Sequence, residues 1–201
     1  GNDMVLKAVR AKTEAAWTTT KKLLALTSVW GLIFSVVTIS KLGVAFEYDD
    51  TLVFSTPAFV KAFASVQQAY SPQFWSVVNK SYDIEKSKYM SSALAWVFRL
   101  CGFKVAIIAA RPSTDGDALK KEWRRLTPKT SFYFAGDRND VKSILGRGNY
   151  VLFFSDNDSD ILEARKAGVY CLRVKRSPKS IDKEDYHPGT LGELVLPWSQ
   201  Y

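Results

Sequence analysis

Two short acidic runs are the places where side-chain chemistry is concentrated. The first, Glu47-Tyr48-Asp49-Asp50-Thr51, follows the apolar run 42–46 directly. The second, Asp156-Asn157-Asp158-Ser159-Asp160, follows the apolar run 150–155. Side chains two apart on an extended strand share a face, so Glu47 and Asp49 are expected to project together. If the two runs end neighbouring strands, several carboxylates converge. Uncompensated carboxylates repel, and hard oxygen donors with room for water suit Mg²⁺. Helix capping accounts for one acid of the second run but not for three. A calcium loop starting at Asp156 would need glycine and glutamate where the chain has Ile161 and Ala167.

Of the cations between the runs, two stand in promising places. Arg111 follows the apolar run 103–110, and Lys142 falls in the first turn of the helix expected after 135–140. A phosphate beside a metal ion would be met by Lys142 as a point charge and by helix N-terminal amides. Other chemistries are excluded by count. His187 is the single histidine, so no two-histidine mechanism is available. Cys101 and Cys171 are the only cysteines and form no CxxC, which removes a cysteine zinc site and a thiol redox motif.

Positioning these groups requires a folded scaffold, and the chain has the composition for one. It has 201 residues, 47% hydrophobic and 24% charged. Apolar periodicity predicts strands at 42–46, 103–110, 131–136, 150–155 and 169–174. It predicts two helices within 57–80, split near Ser71-Pro72, and others over 84–100, 114–126, 139–146 and 158–167. Alternating strands and helices specify an α/β fold: a Rossmann-like, mostly parallel sheet with helices on both faces. Ligands of such sheets bind beyond the carboxyl ends of the strands, where both acidic runs lie.

Residues 1–22 are polar, basic and helix-permissive. Residues 23–40 carry no charge, and those 18 residues just reach the length of a membrane span. Thr27, Ser28, Gly31, Ser35, Thr38 and Ser40 interrupt the stretch, which runs after Lys41 into the acidic strand. The reading is a docked helix plus a buried segment; the alternative is a signal anchor or interfacial helix. The net charge of +8 favours anionic partners: phosphate esters, nucleic acid or acidic lipid.

The stretch 46–59, Phe-Glu-Tyr-Asp-Asp-Thr-Leu-Val-Phe-Ser-Thr-Pro-Ala-Phe, resembles the first motif of the haloacid dehalogenase superfamily. More narrowly it resembles the class B bacterial acid phosphatases. The resemblance continues through 71–75, 107–113, 134–137, Lys142-Ser143, 155–161 and the terminal Ser199-Gln200-Tyr201. It covers 42–201, implying a phosphatase domain with a small helical cap insertion at about 57–83. Residues 1–41 are read as an N-terminal helical arm.

The resemblance implies a Mg²⁺-dependent acid phosphatase acting on small phosphomonoesters such as nucleotides, through a carboxyl-phosphate intermediate. Glu47 stands at the nucleophile position and Asp49 at that of the general acid/base. The metal would be held by Glu47, Asp49 (through its backbone carbonyl) and Asp156, with Asp160 supporting those ligands or Lys142. Lys142 would balance the charge of nucleophile and phosphoryl group. Arg111 would lie at the pocket edge, and Phe59 and Trp75 would form a slot for the organic part of the ester. The family also implies export to the periplasm and homotetramers; no nucleic acid polymer is expected. The N-terminal stretch, which the resemblance does not cover, reads as a cleaved leader or as a membrane tether in its place.

Two departures stand out. The nucleophile position holds Glu47 where the family has Asp, and Ala109 stands where it usually has Thr or Ser. One extra methylene displaces a carboxylate by about 1.5 Å, and a misplacement of about 1 Å can cost on the order of 10²-fold. The expectation is a weakened phosphatase; the alternative is an impaired relative that binds or stores phosphate esters.

Overall fold

A computed structural model of the chain describes residues 1–201, the side chain of Arg138 excepted. In chain order the elements are α1 (Asn2–Ile39), β1 (Gly43–Glu47), β2 (Val53–Phe54), α2 (Thr56–Ser65) and α3 (Pro72–Lys80). They continue with β3 (Lys86–Ser87), α4 (Tyr89–Leu100), β4 (Lys104–Ala109), α5 (Asp117–Glu122) and β5 (Phe132–Phe134). The last are α6 (Arg138–Arg147), β6 (Tyr150–Ser155), α7 (Asp158–Lys166) and β7 (Tyr170–Arg173).

Five strands form one parallel sheet in the order β5-β4-β1-β6-β7. β1 comes first in sequence yet lies at the centre, so the chain builds outward on one side through β4 and on the other through β6. That reversal of direction is the topological switch point of a doubly wound sheet. β1 is buried along its whole length because helices cover both faces. Val44 and Phe46 face one layer, with Ile107, Phe154 and Ala95 of α4. Ala45 faces the other, with Phe153, Val141 and Ile144 of α6, and Ile161 and Ala164 of α7. Phe46 and Phe154 stack across the strand pair with ring centroids 4.5 Å apart. Burying each such ring contributes about 1.5–3 kcal/mol.

The expected strands and helices are present, most of them with shorter bounds. The helix expected over 114–126 is confined to α5, and that expected over 84–100 starts only at Tyr89. The residues before Tyr89 pair as β3 with β2 in a small antiparallel sheet, which two-residue strands do not announce in sequence. Between these strands α2 and α3 pack together through Ala58, Ala62, Phe74 and Val78. Ser71 caps α3 by accepting from Phe74 N, and Pro72 opens it.

α1 corrects the expectation of a docked helix with a buried segment. It is one continuous helix of 38 residues, and Val37 is its only buried residue. Its apolar side chains point to all sides, so no single stripe directs it onto the domain. Contact is confined to its last turns. Trp30 Nε1 donates to Leu100 O, and Gly102 packs against Phe34 and Thr38. Gly102 has φ +93°, and a Cβ there would lie 2.7 Å from Thr38 Oγ1. The hydroxyls that interrupt the apolar stretch are spent on the helix itself: Thr27, Ser28 and Ser35 donate to the carbonyls of Leu23, Leu24 and Gly31. By length and composition α1 is a helix able to cross a membrane.

Candidate active site

The centre forms where β1 and β6 end side by side. Ser155 Oγ lies 2.7 Å from both Glu47 Oε2 and Asp160 Oδ2. One hydroxyl proton serves only one carboxylate, so the second contact requires a proton on Glu47 or Asp160. Thr51 Oγ1 lies 3.3 Å from Glu47 Oε2 and 3.2 Å from Asp156 Oδ1, which ties the two acidic runs together. Asn157 Nδ2 donates to Glu47 and to Asp160 Oδ2. Burial, then the charges of Asp156 and Asp160, push the Glu47 carboxyl well above the usual range. Burial also lifts Asp160, to about 6, with Asp156 adding to the rise against hydrogen bonds that lower it.

Not all acids of the second run converge. Asp158 turns away, accepting from Arg173 Nη2 at 2.6 Å and lying 2.7 Å from His187 Nδ1. It is the first residue of α7, and its direction follows from the helix start, with Asn157 as the N-cap. Asp50 sits in the left-handed region at φ 56°. Burial first, then Asp156, raise its carboxyl to about 7, while Ser180 donates to its Oδ2.

Asp49 is held by a buried clamp. Arg111 contacts it through Nη2 at 2.5 Å and Nε at 3.2 Å, and contacts Glu85 at 2.9 Å and Asn79 at 3.2 Å. The guanidinium lies over the Tyr48 ring at 4.9 Å. This corrects the expectation that Arg111 lies at the pocket edge. Its side chain is wholly buried and its fork is committed to protein partners, so it orients Asp49 instead of meeting a ligand.

Lys142 is corrected in the same way. It is exposed on α6, while its neighbour Val141 turns inward to the cavity. Adjacent helical positions are about 100° apart, so both cannot face the site. The amine that does lie among the acids is Lys88, whose Nζ donates to Asp50 O at 2.8 Å and Lys175 O at 2.6 Å. Burial lowers it to about 8, against the pull of Asp156, Asp50 and Glu47. The second is Arg176, whose Nε donates to Asp156 Oδ2 and whose Nη1 donates to Glu184 O at 2.6 Å. Nothing in the sequence pattern marked Lys88, Arg176 or Glu85; for Thr51, Ser155 and Asn157 the one signal was their place within or beside the two acidic runs.

Above this centre opens a cavity of about 710 Å³. Glu47, Asp49, Asp50 and Asp160 line it, and so do Phe59 and Trp75. Phe63 and Tyr70, not foreseen, line it too. Ala110 lines the cavity next to Ala109, which is fully buried at the end of β4.

The donor chemistry fits Mg²⁺ in kind. Glu47 and Asp156 are two hard, buried carboxylates held in one network, and Mg²⁺ commonly takes one or two carboxylates while keeping several waters. As they stand, no three acids among the described residues surround one point.

The chain is similar to the class B acid phosphatase of Edwardsiella ictaluri (strain 93-146). The two are 32% identical over 180 residues, covering 80% of this chain and 73% of that protein. Among solved structures it is similar to CbbY from Rhodobacter sphaeroides in complex with phosphate, with 12% identity and a TM-score of 0.52, covering 78% of this chain and 93% of that one. It is also similar to a HAD hydrolase, family IA, variant 3, from Entamoeba histolytica, with 12% identity, a TM-score of 0.50 and coverage of 77% and 92%. At such identity these two likenesses concern the fold. No family model matches the chain.

Proposed function

The chain belongs to the class B acid phosphatase family, and from that premise we propose that it is a phosphomonoesterase reacting at the floor of the cavity. The observation that carries this reading is the joining of Glu47 and Asp156 through Thr51 beside the clamped Asp49.

In the first half-reaction a Glu47 oxygen bonds to phosphorus while the ester P–O bond breaks. Asp49 gives its proton to the departing alcohol oxygen. In the second half, Asp49 takes a proton from water and the water oxygen bonds to phosphorus. Phosphate leaves and the Glu47 carboxylate is restored. Arg111 keeps Asp49 in place through both halves. Lys88, in place of Lys142, supplies the fixed positive charge beside the nucleophile. Glu47 and Asp156 would hold Mg²⁺, which when bound offsets phosphoryl charge. The ester's organic part lies against Phe59 and Trp75, a nucleoside being one such group.

A second reading is favoured by Glu47 itself. It is buried, contacted by Ser155, Thr51 and Asn157, and biased toward the protonated form, which is a poor nucleophile. On this reading the chain is an impaired relative that binds phosphate esters. Phosphate release from a 5′-nucleotide at mildly acid pH, with Mg²⁺ and then EDTA, separates the two. Turnover abolished by EDTA supports the phosphatase; none in either condition supports the binding protein. Glu47→Asp restores the shorter nucleophile, and turnover is expected to rise on the order of 10²-fold. A variant as slow as the parent would show that the defect lies elsewhere.

Residues 1–41 form an arm and 42–201 the catalytic unit, with 57–83 as its cap. The arm's cations Lys7, Arg10, Lys12, Lys21 and Lys22 precede its uncharged half. Positive charge marks the cytoplasmic side of a span, so the catalytic unit lies on the outer side, exported and tethered by α1. Protease accessibility of the catalytic unit in intact cells tests this; protection until lysis would refute it.

A further inference from the structure

The five strands of the main sheet are parallel, so their first residues share one pole and their last residues the other. Glu47 and Asp156, at the strand ends, stand at the second pole. The segments that enter the strands, 40–42, 99–104, 123–131, 146–149 and 165–169, carry nine Lys or Arg residues and no Asp or Glu. All nine are exposed. Among the described residues Lys166 is the one of them paired with an acid, Glu163. The hydrogen bonds of Arg99, Arg124 and Arg147 go to backbone carbonyls, which leaves their charge uncompensated.

α1 leaves the domain from this basic pole. Asn149 Nδ2 donates to Ser40 O at 2.9 Å, and Lys104 N donates to Leu42 O at 3.0 Å. Further back along the helix, Trp30 Nε1 donates to Leu100 O at 3.0 Å. Trp30 lies inside the uncharged run 23–40. The corner of α4 that it meets is apolar and open: Trp96, Val97 and Leu100 are 41%, 54% and 60% exposed. Cations rim that corner. The Arg99 guanidinium lies 5.8 Å from the Trp96 ring centroid, and its Nε donates to Arg125 O, which brings Arg124 and Arg125 alongside. Aromatic and aliphatic side chains flanked by Lys and Arg are what a surface at the headgroup level of a bilayer carries. Because Trp30 lies within the run that lipid would surround, a bilayer that takes α1 brings the α4 corner to its surface.

We propose that this pole is a docking face for an anionic lipid surface. Trp96, Val97 and Leu100 enter the headgroup region beside α1, and Arg99, Lys104, Arg124 and Arg125 meet lipid phosphates. Cations placed so close to the surface each add attraction, which fades within a Debye length. The proposal rests on the reading of α1 as a membrane helix, and it holds for either side of the bilayer. The cavity lies at the other pole, so it faces away from the lipid and receives its esters from solvent.

The test mixes the full chain with vesicles of phosphatidylcholine alone or of phosphatidylcholine with phosphatidylglycerol. Flotation at low and high salt reads binding, and hydroxyl-radical footprinting reads the face. Trp198 is the internal control: it is exposed, and the C-terminal residues near it meet the opposite end of α4, where Met90 N donates to Tyr201 O. On the anionic vesicles, oxidation of Trp96 and Leu100 is expected to fall severalfold against the vesicle-free chain, with Trp198 unchanged. The variant Lys104→Gln, Arg124→Gln, Arg125→Gln should still float but lose most of that protection. Flotation with Trp96 as accessible as without vesicles overturns the docking face and leaves α1 as a tether. Flotation on anionic vesicles alone, released by high salt and with Trp96 protected while bound, removes the membrane-helix reading and sustains the face. Flotation with neither vesicle removes both. Protection that grows with protein concentration in the absence of vesicles means that a second copy covers the face, and overturns the lipid assignment.

Discussion

Two sets of buried charge lie on either side of Asp156, and they are balanced differently. On one side Arg173 is wholly buried and surrounded by acceptors: Asp156 O, Asp158 Oδ1, Glu193 Oε1 and His187 O. Glu193 in turn accepts from Gly189 N and Leu191 N. Acids and base are matched, and the knot ties the C-terminal segment to β7 and α7. On the other side Glu47, Asp156 and Asp160 crowd one another, and the cations that reach them are Lys88 and Arg176. Charge that is compensated holds structure together. Charge left in excess raises carboxyl pKa values and calls for a ligand or a proton, which is the condition of a reacting site.

The largest effect is expected from breaking the balanced set. Arg173→Met leaves Asp158 and Glu193 without their buried partner and should cost about 3–5 kcal/mol. Thermal unfolding checks it; a loss under about 1 kcal/mol would mean the knot is not what holds the segment. The matching change on the other side is Lys88→Met, which removes charge from a set already short of it. Turnover should fall on the order of 10²-fold, as for loss of one group stabilising developing charge. Steady-state kinetics on folded protein reads this, and an undiminished rate would return the role to another cation.

A smaller change sharpens the contrast through pH. Burial alone would raise the Glu193 carboxyl, but the amides of Gly189 and Glu193 and the Arg173 guanidinium outweigh it and hold it below the usual range. Its folded pKa is thus below the unfolded one, so its contribution is present above the ordinary carboxyl range and is lost as pH falls through the lowered value. Glu193→Gln should cost about 1.5–3 kcal/mol at neutral pH and flatten the acid side of the stability profile. Denaturant titrations from neutral to acid pH would show an unchanged slope if this account is mistaken. Smallest of all, Lys142→Ala should alter stability by less than about 0.5 kcal/mol, as for an exposed site. A large loss of turnover in that variant would mean that α6 moves Lys142 into the cavity on binding.

Local pattern made much of the fold legible. The five apolar runs became the strands of the main sheet because parallel strands covered on both faces must be apolar throughout. The small β2–β3 sheet stayed hidden because two residues carry no periodicity. Within the site, Glu47, Asp49, Asp156 and Asp160 could be placed because a carboxylate at a strand end has only the switch point to enter. Phe59 and Trp75 were named through the family resemblance alone, and the structure puts them, on α2 and α3, at the cavity wall.

The cations were another matter. Arg111 and Lys142 stood at plausible positions in the chain, yet one is turned inward to clamp Asp49 and the other outward to solvent. Lys88 reaches the centre from 38 residues beyond Asp50, and Ser180 meets Asp50 from 130 residues away. By itself the sequence determined the order of elements and which ends carry acid, since backbone alternation and helix periodicity act over neighbouring residues. Only the tertiary structure decided which acids are neutralised and which are left in excess, because electrostatic balance depends on distance and burial between segments that meet only when the sheet is assembled.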